Sequence, residues 1–308
     1  MAAGKRMKKM REEWFLNPQN FGGLPTQPDQ MDKSRVVVLP IPYEVSTTYR
    51  AGCRQGPAAI IEASTNMELY DEELSCEPHA IGISTLNPLE PADDPAHMLD
   101  RIEEVSAGLL ERGKFIAALG GEHTVTIGVV RAFKRMHKDL SVLSLDAHAD
   151  FRNSYHGNPL NHGCVSRRIW EMCSLAQAGI RSLSKEEADA LRQEKVTPYW
   201  AHEFRSLRTR PEGRRKLVER LVDELSPHVY VTIDADVFDP SIMPAVGTPE
   251  PGGLLWDEVL DIVKAVCEER QIVGIDFVEL APVPGLAHPE FLAARLLYKI
   301  FGFLLQKM

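Results

Sequence analysis

Short apolar runs without polar interruption alternate along this chain with longer stretches whose apolar residues recur at helical spacing. The first buried strand is expected at 35–43 (RVVVLPIPY), and a helix after the turn that ends at Pro57. A short strand is expected at 79–84. A helix from about 97 to 111 carries the stripe Leu99, Ile102, Val105, Leu109 and Leu110. Residues 114–121 read as a strand closed by glycines, 125–136 as a helix, and 141–145 as a strand running into a loop. Strands at 176–182 and 196–200 flank a helix that Ser184 and Glu187 open as a capping box. Helices at 214–225, 254–270 and 289–305 then alternate with strands at 228–236 and 271–280.

Continuous apolar strands belong to a parallel sheet covered on both faces by helices. The class is therefore α/β. An open sheet and a closed eight-stranded barrel share this rhythm, and both place functional residues at the carboxyl ends of strands. Residues 1–31 are rich in turn formers and read as an irregular lead-in, with Trp14 and Phe15 as candidate anchors. No composition break divides 32–308, which favours one domain.

Composition narrows the function. Lys and Arg total 35 against 44 Asp and Glu, a net charge of −9 that speaks against nucleic acid and suits a cationic substrate. No apolar run is long enough to span a membrane, and the charged start lacks a signal peptide's apolar stretch, so a cytoplasmic location is expected. The five cysteines match no zinc or disulfide framework and are expected as free thiols. Cys164 lies close to a candidate site segment, where reagents could reach it if it is exposed.

Three clusters carry the chemistry: Gly120-Gly121-Glu122-His123, Asp146-Ala147-His148-Ala149-Asp150 and Asp234-Ala235-Asp236. His123 is expected to open the helix after the glycine turn. Leaving their strands in extended form, Asp146, His148 and Asp150 would share one face, as would Asp234 and Asp236. Converging carboxylates are costly unless cations neutralise them, and two divalent ions about 3.5–4 Å apart would do so. Asp239-Pro240 is expected to turn the chain.

These clusters resemble the signatures of the ureohydrolase (arginase/agmatinase) family, in the family's order. The third continues through Asp239-Pro240 to Gly247-Thr248-Pro249-Glu250-Pro251-Gly252-Gly253. The resemblance spans about residue 35 to the end. It implies a single-domain three-layer α/β/α fold with a mostly parallel, roughly eight-stranded sheet. It also implies two manganese ions per subunit, other divalent transition metals being possible. His123, Asp146, Asp150 and Asp234 would hold one ion, and Asp146, His148, Asp234 and Asp236 the other. Asp150 and His162 would move protons, and Glu279 would grip a guanidinium. Glu122 stands where the family usually has Asp, and Ala245 and Val246 depart from a more glycine-rich loop.

The resemblance implies hydrolysis of a small cationic guanidino substrate, with agmatine, giving putrescine and urea, as the first expectation. Aminopropylagmatine, guanidinobutyrate or another guanidino compound is the alternative, followed by arginine or formiminoglutamate. Arg152 takes the place of an Asn with which the family's arginases read their substrate, and an anionic substrate would need a basic pocket that Arg152 could help build. A noncatalytic assembly subunit would have no need of the whole ligand set. Homohexamers or homotrimers are the family's assemblies, and the segment 14–28 is a candidate to pack on a neighbouring copy.

Overall fold

The computed structural model describes residues 16–26 and 30–307. Among the described residues, eight strands form one open sheet: β1 Val36–Ile41, β2 Ile83–Thr85, β3 Phe115–Gly120, β4 Leu140–Leu145, β5 Ser174–Ile180, β6 Tyr199–Trp200, β7 His228–Asp234 and β8 Gln271–Val278. Their order is β2-β1-β3-β8-β7-β4-β5-β6, and every pairing is parallel. The sheet has two edges, which decides for the open arrangement over the barrel.

A short helix α1, Gln30–Lys33, precedes the first strand. Parallel strands need crossovers, and helices supply them: α2 Gly56–Ser64, α3 Pro95–Leu110, α4 Val125–Met136, α5 Val165–Trp170, α6 Lys185–Gln193, α7 Ala201–Ser206, α8 Pro211–Asp223 and α9 Trp256–Glu269, with α10 His288–Gln306 following the last strand. Side chains of the central strands alternate between two cores. Val36, Val38, Ala117, Val231 and Phe277 join the layer containing α2, α8, α9 and α10. Val37, Leu39, Ile116, Val142 and Tyr230 join the layer containing α3, α4 and α5. Each buried Val, Leu, Ile or Phe contributes about 1.5–3 kcal/mol relative to exposure. These two apolar cores pack the central strands from both faces beneath whatever sits at their ends.

The expected elements are present, with shifted bounds. At 79–84 only the last two residues enter β2, because Pro78–Ile81 form a 3-10 turn. Ser184 and Glu187 make the capping box reciprocally. Trp14 and Phe15 lie outside the described residues. Residues 16–26 pack on their own chain: Leu16 bridges Leu86, and buried Phe21 meets Phe301 edge to face at 5.7 Å.

Candidate metal centre

Four adjacent central strands, β3, β8, β7 and β4, deliver the site from their carboxyl ends. After β3 the backbone turns against the end of β1. Gly121 N–H donates to Ile41 O (2.9 Å) and Glu122 N–H to Tyr43 O (2.8 Å). A Cβ on Gly121 would lie 2.1 Å from the Tyr43 carbonyl oxygen, so only glycine fits. We expect Gly121→Ala to displace that turn and lower stability by about 1–3 kcal/mol, the usual cost of overpacking. Thermal melts beside wild type would measure it, and an unchanged melting temperature would contradict the close approach.

His123 follows, and α4 begins two residues later than expected, at Val125. Its ring is buried, with Nε2 2.9 Å from Thr232 Oγ1 on β7. Nδ1 lies 3.2 Å from Asp146 Oδ2, 3.4 Å from Asp150 Oδ2 and 3.3 Å from Asp234 Oδ2.

The strand character of β4 persists to His148, which bridges Ser182 in parallel. The expectation that Asp150 shares this extended face is corrected. Asp150 has φ +48°, a left-handed turn that swings its carboxylate back toward His123. Asp236 likewise arrives through the 3-10 turn Ala235–Val237 instead of an extended strand. Asp234 Oδ1 accepts from Asp236 N (2.9 Å), and Asp146 Oδ1 accepts from His148 N (2.6 Å). Asp236 then ties the two motifs together, accepting from Ala147 N (3.0 Å) and lying 2.8 Å from His148 Nδ1.

Two ligand groups result: His123 with Asp146 and Asp150, and Asp146 with His148 and Asp236. In each, one donor atom per residue lies within 4.8 Å of the others. Asp146 belongs to both. His123 Nδ1 and Asp146 Oδ2 are buried without a hydrogen-bond partner, their close contacts lacking hydrogen-bond geometry. Such atoms aimed at a common centre fit a divalent cation.

Electrostatics point the same way. Burial, with Asp150 and Asp236 alongside, pushes Asp146 up to about 7. Burial, with Asp236 and Asp146 alongside, raises Asp234 far above the carboxylate range. Burial acts against both imidazolium ions, yet the carboxylates win, raising His148 to about 11 and His123 well above its usual value. Burial would also raise Asp236, but His148 beside it holds it below the ordinary range. A cluster this rich in negative charge is relieved by cations.

Glu279, His162 and Arg152 line a cavity of about 370 Å³ with Asp150, Asp234 and Asp236. Glu279, at φ +63°, accepts from His123 N (2.6 Å); burial and then Glu122 push it up to about 8. His162 opens the 3-10 turn after Asn161 and faces Ser46 and Thr48. Arg152 pairs with Glu187 at 3.3 Å and stacks on Tyr155, so its charge is already matched. Asp239 does turn the chain, accepting from Ser241, Gly252 and Gly253 N–H groups. Ala245 and Val246 are buried and pair with Ala281 and Leu280. Cys164 is fully buried, its thiol pushed up to about 12 by burial, so reagents do not reach it.

A profile of the arginase family matches residues 34–302. The chain belongs to this family. It is 42% identical over 278 residues to an N(1)-aminopropylagmatine ureohydrolase of Synechocystis sp., covering 87% of this chain and 88% of that protein. The corresponding protein of Thermus thermophilus is 38% identical over 273 residues, covering 88% and 90%. The solved structure of agmatine ureohydrolase of Thermoplasma volcanium superposes with a TM-score of 0.83 at 32% identity, covering 97% and 98%. With its paired ligand groups, this member of the arginase family is a metal-dependent amidinohydrolase. Among the described residues no helix is long and apolar enough to cross a membrane.

Other residues that build the site were not read from the sequence. Arg181 donates to the carbonyls of Asp236 and Phe238 and to that of Glu250, joining both ends of the third motif. Thr126 and Tyr230 hydroxyls donate to buried Asp276 behind Thr232, each at 2.8 Å. Their only sequence signal is a polar residue inside an apolar run.

Proposed function

We propose that this enzyme hydrolyses the guanidinium group of N1-aminopropylagmatine to urea and the corresponding triamine, using two manganese ions held by His123, Asp146, His148, Asp150, Asp234 and Asp236. The observation that carries the reaction class is the pair of ligand groups sharing Asp146, with Glu279 in the same cavity. Bound there, the metals would supply Lewis acidity and an activated water. Glu279 would orient the planar guanidinium by charge-assisted hydrogen bonds. Asp150 and His162 would pass a proton to the departing amine.

Agmatine was the first expectation; the similarity to aminopropylagmatine ureohydrolases supports the longer substrate instead. The cavity offers a place for its extra ammonium group. Glu187, on the lining, is committed to Phe151 N, Ser184 N and Arg152. The Glu250 carboxylate accepts only the Ser182 hydroxyl (3.0 Å) among the described residues, leaving acceptor capacity for a cation. The pairing of Arg152 argues against formiminoglutamate.

The test is a urea assay of the manganese-loaded enzyme on aminopropylagmatine, agmatine, arginine and guanidinobutyrate. We expect Glu250→Gln to lower kcat/KM about tenfold for aminopropylagmatine, the order of one partly exposed charged hydrogen bond, and less for agmatine. A wild-type preference for agmatine would return the reading to that substrate. A preference for guanidinobutyrate would shift it to an anionic tail read by Arg50, which lines the same cavity.

A further inference from the structure

We infer that Glu122 and Ser46 form a positioning relay that fixes the tautomer of His162, with the proton on Nδ1 and the lone pair of Nε2 facing Thr48. The inference rests on the proposed role of His162 as the residue that exchanges protons in the cavity.

Counting hydrogens and lone pairs leads to it. Glu122 is fully buried between the turn after β3 and the loop after β1. Its Oε2 accepts from Val45 N (2.6 Å) and Ser46 N (2.7 Å), and its Oε1 from Ser46 Oγ (2.8 Å) and Thr124 Oγ1 (2.6 Å). The single Ser46 hydroxyl proton is thus committed to the carboxylate. The same Oγ lies 3.3 Å from His162 N and 3.0 Å from His162 Nδ1. Having no second proton, it must accept from both, so Nδ1 carries hydrogen. Nε2 is then the acceptor in the 2.8 Å contact with Thr48 Oγ1. A carboxylate orienting an imidazole through its second nitrogen is the logic of hydrolase triads, here with a serine between. The arrangement also gives Glu122 a role: its side chain, one carbon longer than the family's usual Asp, reaches the 44–48 loop. Ser46 and Glu122 act through His162 and touch no reacting atom.

Glu122→Gln makes a specific prediction. Two backbone N–H groups hold the amide oxygen, so the amide NH2 must face Ser46 Oγ. Ser46 then accepts from the amide and turns its proton toward His162, moving the imidazole hydrogen to Nε2. The readout is the pair of ring 15N shifts of His162 in histidine-labelled protein loaded with zinc, which is diamagnetic. The wild type should show a protonated Nδ1, and Glu122→Gln the opposite tautomer. Ser46→Ala, the milder variant, should lose the preference while retaining metal. Kinetics give an independent arm: Ser46→Ala should lower kcat about tenfold with KM within about twofold, part of the 10²–10⁴ that acid–base catalysis supplies. On a His162→Ala background it should add almost nothing. A wild-type Nε2–H tautomer, or an equal Ser46→Ala loss with and without His162, would overturn the relay. Absence of urea from every guanidino substrate would instead sink the proposed function, and the 15N measurement would still decide the tautomer.

Discussion

Asp146→Ala should abolish turnover and empty both metal positions while leaving the protein folded. Asp146 is the member common to both ligand groups, so its loss takes a donor from each. Its side chain is fully buried, and Oδ1 also fixes the His148 backbone at 2.6 Å. The fold should survive because an ionised Asp146 is unfavourable there unless cations accompany it. A carboxyl held at about 7 in the folded chain and near 3.9 when unfolded binds its proton more tightly in the fold. Metal-free wild type should therefore lose stability as pH rises from about 4 through 7, and Asp146→Ala should flatten that slope. With manganese added, wild type should gain thermal stability by mass action and the variant should not. Metal analysis and melting curves across pH, with and without manganese, check each part. Full occupancy with normal turnover in the variant would refute the assignment of Asp146.

Much of this architecture was legible in the chain because it depends on local pattern. Val36 to Ile41 is apolar at every position, as a strand covered on both faces must be, and its side chains do divide between two cores. Helix α4 covers the 125–136 stretch that helical spacing marks, although His123, expected to open it, lies two residues before its start. Period could not say whether the strands close into a barrel, since closure depends on which strands pair. The metal-binding candidates were legible because each motif is short and follows a strand. Where the reading erred, it assumed regular backbone. Asp150 and Asp236 reach the centre by a left-handed residue and a 3-10 turn, neither of which has a repeating signature. The supporting residues were silent for a different reason. Ser46 meets Glu122 across 76 positions, and Thr48 meets His162 across 114, pairings that only the strand order brings together.

Arg181→Ala should produce a large loss of stability although the residue lies outside the ligand set. Arg181 leaves the end of β5 and spends its guanidinium on main-chain carbonyls. Nη2 donates to Asp236 O (2.6 Å), Glu250 O (2.9 Å) and Phe238 O (3.2 Å), Nη1 to Gly179 O (3.1 Å), and Nε to Glu250 O (3.2 Å). One cation thus holds the turn bearing Asp236 to the Glu250 segment, across 69 positions from Arg181 to Glu250. The planar fork is essential, since lysine offers a point charge on a flexible stem and could satisfy few of these acceptors together. Truncation leaves carbonyls short of donors at about 1–3 kcal/mol each, reduced where water can enter. A net loss of about 3 kcal/mol is expected, equivalent to roughly 5 °C in melting temperature. Function should fail asymmetrically. Asp236 serves the group with His148, so that metal should weaken first, while His123, Asp146 and Asp150 keep theirs. Manganese titration of Arg181→Ala and Arg181→Lys should resolve one weakened site beside one near-normal site. Equal weakening of both, or none with a normal melting temperature, would show that the Asp236 turn does not depend on this arginine.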